Sequence, residues 1–412
     1  MFDFEDLPPP SDRRIALGVK PAAERALRSG HPWLFDQAIR SQSHEGAPGD
    51  LAVIFDKKRR FLAVGLYDPD SPIRVKVLQH RHPATINGDW FQAKLHAAAQ
   101  LRAPLNTEST NAYRLVHGEN DGLPGLIVDR YADTLVIKLY TAAWIPHLRA
   151  LIPALSAVQN HTRLVLRLSR AMSDAAAHLG LGGGQILRGT IPEGPVAFIE
   201  NGLHFAADVV QGHKTGFFFD QRENRARVRD FARGRHVLDV FAYSGGFSLY
   251  AAAGGAQSVT SLDISAPALA AASANFKLNQ GHTQVAAAEH RVLVDDAFDG
   301  LRKLADSGQH FTLVIVDPPS FAKSADEIDS ALAAYERLTY AALDVLAPEG
   351  LLVMASCSSR VSAERFFDTV LRAAQGARRP LKEIERTGHA LDHPVGFPEG
   401  VYLKCLFAAS IR

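Results

Sequence analysis

Apolar and polar positions change rhythm three times along the chain. From about Asp12 to Gln79 the apolar runs are short, and 50–54 (DLAVI), 61–66 (FLAVGL) and 73–78 (IRVKVL) read as strands. Turn-forming segments at 56–60 and 68–72 separate them. Three strands at this spacing predict a small β-barrel. From about Pro83 to Phe205 a helical stretch near 90–101 precedes a hairpin of 126–129 and 134–140, a Gly182-Gly183-Gly184 loop and a strand at 196–199. That order predicts an α+β segment. Beyond Val237, apolar strands (HVLDVF, SVTSLDI, RVLVDD, FTLVIVD, LLVMAS) alternate with helical patterns at 247–253, 267–279, 298–305, 328–346 and 363–374. Strands apolar on both faces and joined by helices predict a parallel sheet covered on each side. VYLKCLFAAS near the end reads as one further strand.

Composition narrows the class. At roughly 150 residues per domain, 412 residues predict two to three domains. A hydrophobic share of 47% with 22% charged residues excludes a disordered or fibrous chain. The net charge of +1 excludes a globally polycationic surface. Local excesses exist: 12 Lys/Arg against 8 Asp/Glu between Asp12 and His80, and six arginines between Arg222 and Arg235. The latter, with Lys57-Lys58-Arg59-Arg60, are candidate phosphate contacts. Two cysteines, Cys357 and Cys405, exclude a disulfide-rich scaffold and fit a reducing compartment. The first ten residues, ending in three prolines, read as a disordered tail without the basic-then-apolar order of a signal peptide. No run of about 18 apolar residues occurs. The expectation is a soluble, cytoplasmic protein with no membrane partner.

In a doubly wound sheet, ligands bind beyond the carboxyl ends of the strands. Those ends are polar here. The first runs from Asp239 into 242–246 (AYSGG), whose glycines let a backbone pass close to a ligand before a helix begins. It departs from G-x-G-x-x-G, which disfavours a dinucleotide. The second ends at Asp263, placed to accept ribose hydroxyls, with Ser265 as the better helix cap. The third ends at Asp295-Asp296, the fourth at Asp317-Pro318-Pro319-Ser320-Phe321, and the fifth at 356–359 (SCSS). Consecutive prolines hold the loop after the fourth strand extended.

With these strand ends, the segments GHPWLF (30–35), DGLPGLIVDRY (121–131), HKTGFFFDQRENR (213–225) and DHPVGFPEGVYLK (392–404) carry a family resemblance. The chain resembles class I S-adenosylmethionine-dependent methyltransferases, and more closely the large-subunit ribosomal RNA cytosine-C5 methyltransferases with an N-terminal PUA domain. The resemblance implies a Rossmann-like α/β domain with a mostly parallel seven-stranded sheet at 206–412. A tail (1–11), a PUA-like RNA-binding barrel (12–82) and a central α+β domain (83–205) would precede it. It implies S-adenosylmethionine as cofactor, with no metal. Phe219, Gln221 and Arg222 would line the cofactor pocket, and Asp239 with Tyr243, Ser244 and Gly245 would flank the methionine moiety. Asp263 and Ile264 would meet the ribose and Asp296 the adenine amino group, with Asp317 at the edge of the same pocket. Relatives often carry asparagine where Asp239 stands.

The implied reaction sets the remaining roles. Cytosine C5 is too weak a nucleophile until a thiolate adds to C6, and cysteine suits that step. Cys357 is the candidate nucleophile, while Cys405, inside YLKCLF, reads as a core residue. Asp317 would hold N3 and the exocyclic amine, with Pro318, Pro319 and Phe321 shaping the base slot. Ser320 follows the prolines, so a second catalytic cysteine is not expected there. Two alternatives use the same fold: amino-group or N7 methylation of a purine, and a non-catalytic RNA-binding assembly factor. The expected partner is ribosomal RNA, protein-free or in an assembly intermediate, and a homodimer is compatible with the sequence.

Overall fold

The computed structural model describes residues 4–411. The chain divides into two compact units. The first comprises 1–199, 207–217 and 391–400, and so holds the segment expected as the PUA-like domain and the expected central domain as far as 199. The second comprises 200–206, 218–390 and 401–412.

Two sheets build the first unit. One has six strands in the order Trp33–Phe35, Ile73–His80, Phe61–Tyr67, Leu51–Phe55, Ile15–Val19, Ile39–Gln42. Its neighbours are antiparallel except Ile15–Val19 with Leu51–Phe55, which run parallel. The other has five, from Gln185–Arg188 through Arg163–Leu168, Thr134–Leu139 and Leu126–Tyr131 to Ala112–His117. Gly88–Arg102 is helical, capped by Asn87, whose side chain accepts from the Trp90 N–H. One apolar cluster runs from Leu51, Leu66 and Leu78 to Phe91, Leu115 and Trp144. Leu7 joins it at 2% exposure, and Phe4–Asp6 forms a 3-10 turn. The expected disordered tail is therefore ordered from residue 4 as far as Leu7, because its one leucine finds an apolar place; positions 1–3 lie outside the described residues.

The second unit is a Rossmann-like α/β fold around a seven-stranded sheet. Its strands are β1 (His236–Val240), β2 (Ser258–Asp263), β3 (Glu289–Val294), β4 (Phe311–Val316), β5 (Leu346–Ser356), β6 (Leu381–Thr387) and β7 (Lys404–Ser410). The order is β3-β2-β1-β4-β5-β7-β6. The pairs β3–β2, β2–β1, β1–β4 and β4–β5 are parallel, and β7 is antiparallel to both its neighbours. The helices of eight residues or more are α1 (Arg222–Phe231), α2 (Gly246–Ala253), α3 (Ala266–Leu278), α4 (Ala297–Asp306), α5 (Ile328–Val345) and α6 (Ala363–Gly376). Ser265, Asp296 and Ser362 cap α3, α4 and α6 through side-chain oxygens. The central strands β1, β4 and β5 bury nearly every side chain, whereas β3 and β6 at the edges are largely exposed. The apolar core lies over β4 and β5 with α5 and α6. Among the described residues, no helix is long and apolar enough to cross a membrane.

Candidate active site

The two halves of β1–β5 reverse direction of winding at β1 and β4, and the polar strand ends gather at that point. β1 and β4 are neighbours, as are β4 and β5, so Asp239, Asp317 and Cys357 leave adjacent strands on one side of the sheet. A crevice at such a switch point is where an open α/β sheet takes its ligand.

On the β1–β2 side, carboxylates organise the backbone. Asp263 accepts from the Tyr243 N–H (2.9 Å) through one oxygen and from the Ser265 N–H (2.8 Å) through the other. It thereby clamps the 241–245 turn, where Phe241 and Tyr243 adopt positive φ (65° and 49°). The next residue, Ile264, is 73% exposed, an unusual position for a large aliphatic chain. Asp239 is 1% exposed, and one of its oxygens accepts from both the N–H (2.9 Å) and the hydroxyl (2.6 Å) of Ser248. Its other oxygen has no hydrogen-bond partner among the described residues. Burial pushes the Asp239 carboxyl up to about 7, against the pull of the Ser248 donors. Ser248 continues to Ser261 (2.7 Å) and on to His290 (2.9 Å), whose ring stacks on Phe276 and is pushed down to about 4 by burial. Gly245, at φ +75°, is required by packing: a Cβ there would stand 2.8 Å from Ala272 Cβ on α3.

On the β4–β5 side, the 317–322 turn and the loop after β5 are laced together. Cys357 is partly exposed, and its Sγ lies 3.7 Å from the Pro318 carbonyl oxygen. The Ser358 hydroxyl donates to Ala322 O (3.3 Å), as does Ser320 (3.1 Å). Asp317 is partly buried and accepts from Gln221 Nε2 (2.9 Å). Asn224 donates to Gln221 Oε1 (2.5 Å), and Thr387 donates to Asn224 Oδ1 (2.5 Å). This chain fixes which end of the Gln221 amide faces Asp317. Burial, then the charges of Asp220 and Asp239, push the Asp317 carboxyl up to about 7.

Placement of the expected residues is uneven. Asp239, Tyr243, Ser244, Gly245, Asp263, Ile264, Asp317, Pro318 and Cys357 are brought to this side of the sheet. Gln221 comes with them as a partner of Asp317. Asp296 uses one oxygen to cap α4, accepting from Phe298 (2.9 Å) and Asp299 (3.4 Å). Phe219 is buried at 1%, and Phe321 packs on Tyr335, 5.1 Å between ring centres, leaving Pro319 as the exposed member of its turn.

The arginines differ most from expectation. Arg222 is 2% exposed and pairs with Glu200 (3.2 Å). Arg225 is bound to the same carboxylate at 2.7 Å. Arg227 bridges Glu385 and Asp230, and Arg235 donates to the Phe231 and Thr312 carbonyls. Arg229 reaches Asn201 O, leaving Arg233 as the exposed member without such a bond. A helix with arginines on several faces reads as basic in sequence, but Glu200 and Glu385, distant in the chain, pair with Arg222, Arg225 and Arg227.

One site residue was not anticipated. Lys404, paired with Ser356 across β5–β7, is 3% exposed. Its ammonium donates to the carbonyls of Ser358, Val361 (2.6 Å) and Tyr402 (3.1 Å), pinning the loop that follows Cys357. Burial pushes it down to about 8, while Cys357 favours its charge. The available signal was a lone lysine inside the otherwise apolar strand YLKCLF. Cys405 is fully buried, as a core residue should be.

Comparison with known proteins gives this geometry its lineage. A family model described as S-adenosylmethionine-dependent methyltransferase matches residues 114–403, and one described as a PUA-like domain matches 17–80. The chain is 48% identical over 405 residues to a protein of Deinococcus radiodurans named ribosomal RNA large subunit methyltransferase, covering 97% of this chain and 98% of that one. It is 36% identical to a Shewanella denitrificans protein named ribosomal RNA large subunit methyltransferase I, covering 96% and 99%. A solved structure from Streptococcus mutans, described as a SAM-dependent methyltransferase, superposes with a TM-score of 0.80 at 21% identity, covering 96% and 99%, and so shares the fold. The chain belongs to the S-adenosylmethionine-dependent methyltransferase family, in the group that joins this domain to a PUA-like domain and includes the large-subunit ribosomal RNA methyltransferases.

Proposed function

We propose that this protein transfers a methyl group from S-adenosylmethionine to C5 of a cytosine in large-subunit (23S) ribosomal RNA, through a covalent bond between Cys357 Sγ and C6 of the base. The observation that carries this reading is the thiol of Cys357, partly exposed at the end of β5 and 3.7 Å from the carbonyl of Pro318, beside the Asp317 carboxyl held at about 7. Purine amino-group methylation would leave that thiol unused. The names of the relatives support ribosomal RNA as the substrate.

The β1–β2 residues fit the cofactor. The unpartnered oxygen of Asp239 suits a cationic, donor-bearing methionine end, and Asp263, with Ile264 exposed beside it, suits a ribose diol. Tyr243, Ser244 and Gly245 would flank the methionine moiety, with Asp296 toward the adenine. Bound S-adenosylmethionine supplies an electrophilic methyl group.

The chain's own residues make carbon 5 nucleophilic. The Cys357 thiolate forms the S–C6 bond, and the C5=C6 pair shifts to C4=C5 while the C4=N3 pair moves onto N3. A neutral Asp317 donates its proton to N3, which leaves an enamine with C5 as its nucleophilic carbon. A carboxyl group with an ordinary value near 3.9 would already be ionised at neutral pH and could not do this. After transfer, the C5 proton leaves to water, the S–C6 bond breaks, and Asp317 recovers its proton from N3. Gln221 keeps one Asp317 oxygen occupied, and Lys404 holds the loop carrying the thiol.

A base inside a helix must be turned out of its stack first. Protein-free RNA or an assembly intermediate in the cytoplasm is therefore the proposed substrate. Mass spectrometry of nucleosides from 23S RNA tests the reading. A deletion strain should lose one 5-methylcytosine, and wild-type protein should restore it while Cys357→Ala does not. Loss of a methylated purine instead would replace this reading with the amino-group or N7 alternative.

A further inference from the structure

Arg222, Arg225 and Arg227 of the arginine-rich stretch are paired to carboxylates, and a further group of cations stands outside that stretch. In the five-stranded sheet of the first unit, Lys138 and Arg167 stand directly opposite each other on the parallel strands Thr134–Leu139 and Arg163–Leu168. Like charges in such a pair repel. The 208–216 loop adds to them. Arg167 donates to the carbonyls of Val209 (3.2 Å) and Gly212 (2.7 Å), holding the loop so that Lys138 Nζ lies 3.4 Å from the Lys214 carbonyl. His213 and Lys214 are both exposed, as is Arg170.

The crowding of cations has a physical signature. Lys138 is pushed down to about 8 by burial and then by Arg167 and Lys214. Asp129 is the carboxylate that opposes this, and it is already bridged by both arms of Arg114 (2.8 and 3.0 Å). His213 is lowered by burial and then by Lys214, Lys138, Arg167 and Arg170. Beside them Tyr140 is 50% exposed, with Lys138 Nζ 5.4 Å from its ring centre.

We propose that Lys138, Arg167, Arg170, His213 and Lys214, together with Tyr140, form a surface that takes a single-stranded stretch of RNA, a role that rests on RNA being the substrate. The lysines and arginines meet phosphates, whose charge relieves the mutual repulsion, the neutral His213 ring offers a hydrogen bond, and the exposed tyrosine ring stacks a base. The ring favours RNA over an acidic protein because every base offers a π-face, whereas carboxylate side chains offer none. HKTG at 213–216 then has a role that neither the cofactor nor the target base gives it.

Anisotropy of the full-length protein with a fluorescein-labelled single-stranded RNA of mixed sequence, across a salt series, tests this. The Lys138→Gln/Lys214→Gln variant should lower the slope of log K against log salt by about 1.4, or about 0.7 for each lost phosphate contact on a single strand. Lys138→Arg should keep the slope, and Tyr140→Ala should weaken binding about fivefold or more with the slope unchanged. Unchanged S-adenosylmethionine binding by calorimetry identifies folded variants. Wild-type protein with no salt-dependent RNA binding contradicts the RNA reading itself. Steep wild-type binding that the double variant leaves untouched overturns this surface alone. Polyglutamate that displaces the RNA equally from wild type and Tyr140→Ala overturns it in favour of an acidic protein partner.

Discussion

Asp239 and Asp317 both hold a proton to about pH 7, which an exposed carboxyl group loses near 3.9. For Asp239 this is a statement about stability. Folding raises its pKa, so the native state binds more protons than the unfolded state between pH 4 and 7, and stability falls as pH rises through that window. Asp239→Asn keeps an acceptor for Ser248 and cannot ionise. Its stability relative to wild type should rise by about 1–3 kcal/mol between pH 4 and pH 8, read from urea unfolding at the two pH values. An offset independent of pH would contradict the raised carboxyl. Asp263→Ala should weaken S-adenosylmethionine by roughly 1–3 kcal/mol in calorimetry, the scale of a lost hydrogen bond to a charged group. In the proposed mechanism the neutral form of Asp317 is the active one, so kcat/KM should fall as pH rises past its pKa. Gln221 donates to Asp317 and favours the charged form. Gln221→Leu should therefore move that falling limb to higher pH; an unmoved limb would remove the amide from the control of Asp317.

Helix α2 begins where the chain turns sharply out of β1, and the turn is set by α3 as much as by any ligand. Gly245→Ala would carry a Cβ at φ +75° into Ala272, 2.8 Å away, and should lose about 1–3 kcal/mol without any cofactor present. Urea unfolding of the cofactor-free variant checks this, and a loss seen only with cofactor would make the turn a cradle instead. Sequence pattern found β1, β2, β4 and β5 because strands covered on both faces are apolar throughout. It missed β6, since LKEIERT at an exposed edge alternates charged residues that resemble a loop. It missed α1 for a related reason. RENRARVRDF carries one aliphatic valine, and its helix is held by ion pairs to Glu200 and Glu385 that no local pattern reveals. The strand-end positions of Asp263 and Cys357 were legible because strand ends are punctuated by polar residues. Lys404 was not, because its partners are backbone carbonyls of a loop more than 40 positions earlier.

Over the whole chain, a net charge of +1 conceals opposite local arrangements. In the stretch richest in arginine, Arg222, Arg225 and Arg227 are paired to carboxylates, whereas Lys138, Arg167, Arg170 and Lys214 gather in the first unit from separate stretches of the chain. Total charge is thus a poor guide to affinity for RNA; the placement of charge decides it. Methyl transfer by this route turns on one bond, between Cys357 Sγ and C6 of cytosine. RNA containing 5-fluorocytosine should trap it, because fluorine cannot leave C5 as a proton does. Wild-type enzyme with S-adenosylmethionine should give a protein–RNA adduct that survives denaturing electrophoresis. Cys405→Ala should still form it, and Cys357→Ala should form none while still binding the cofactor. A Cys357→Ala enzyme that methylates its RNA at near the wild-type rate would contradict the mechanism.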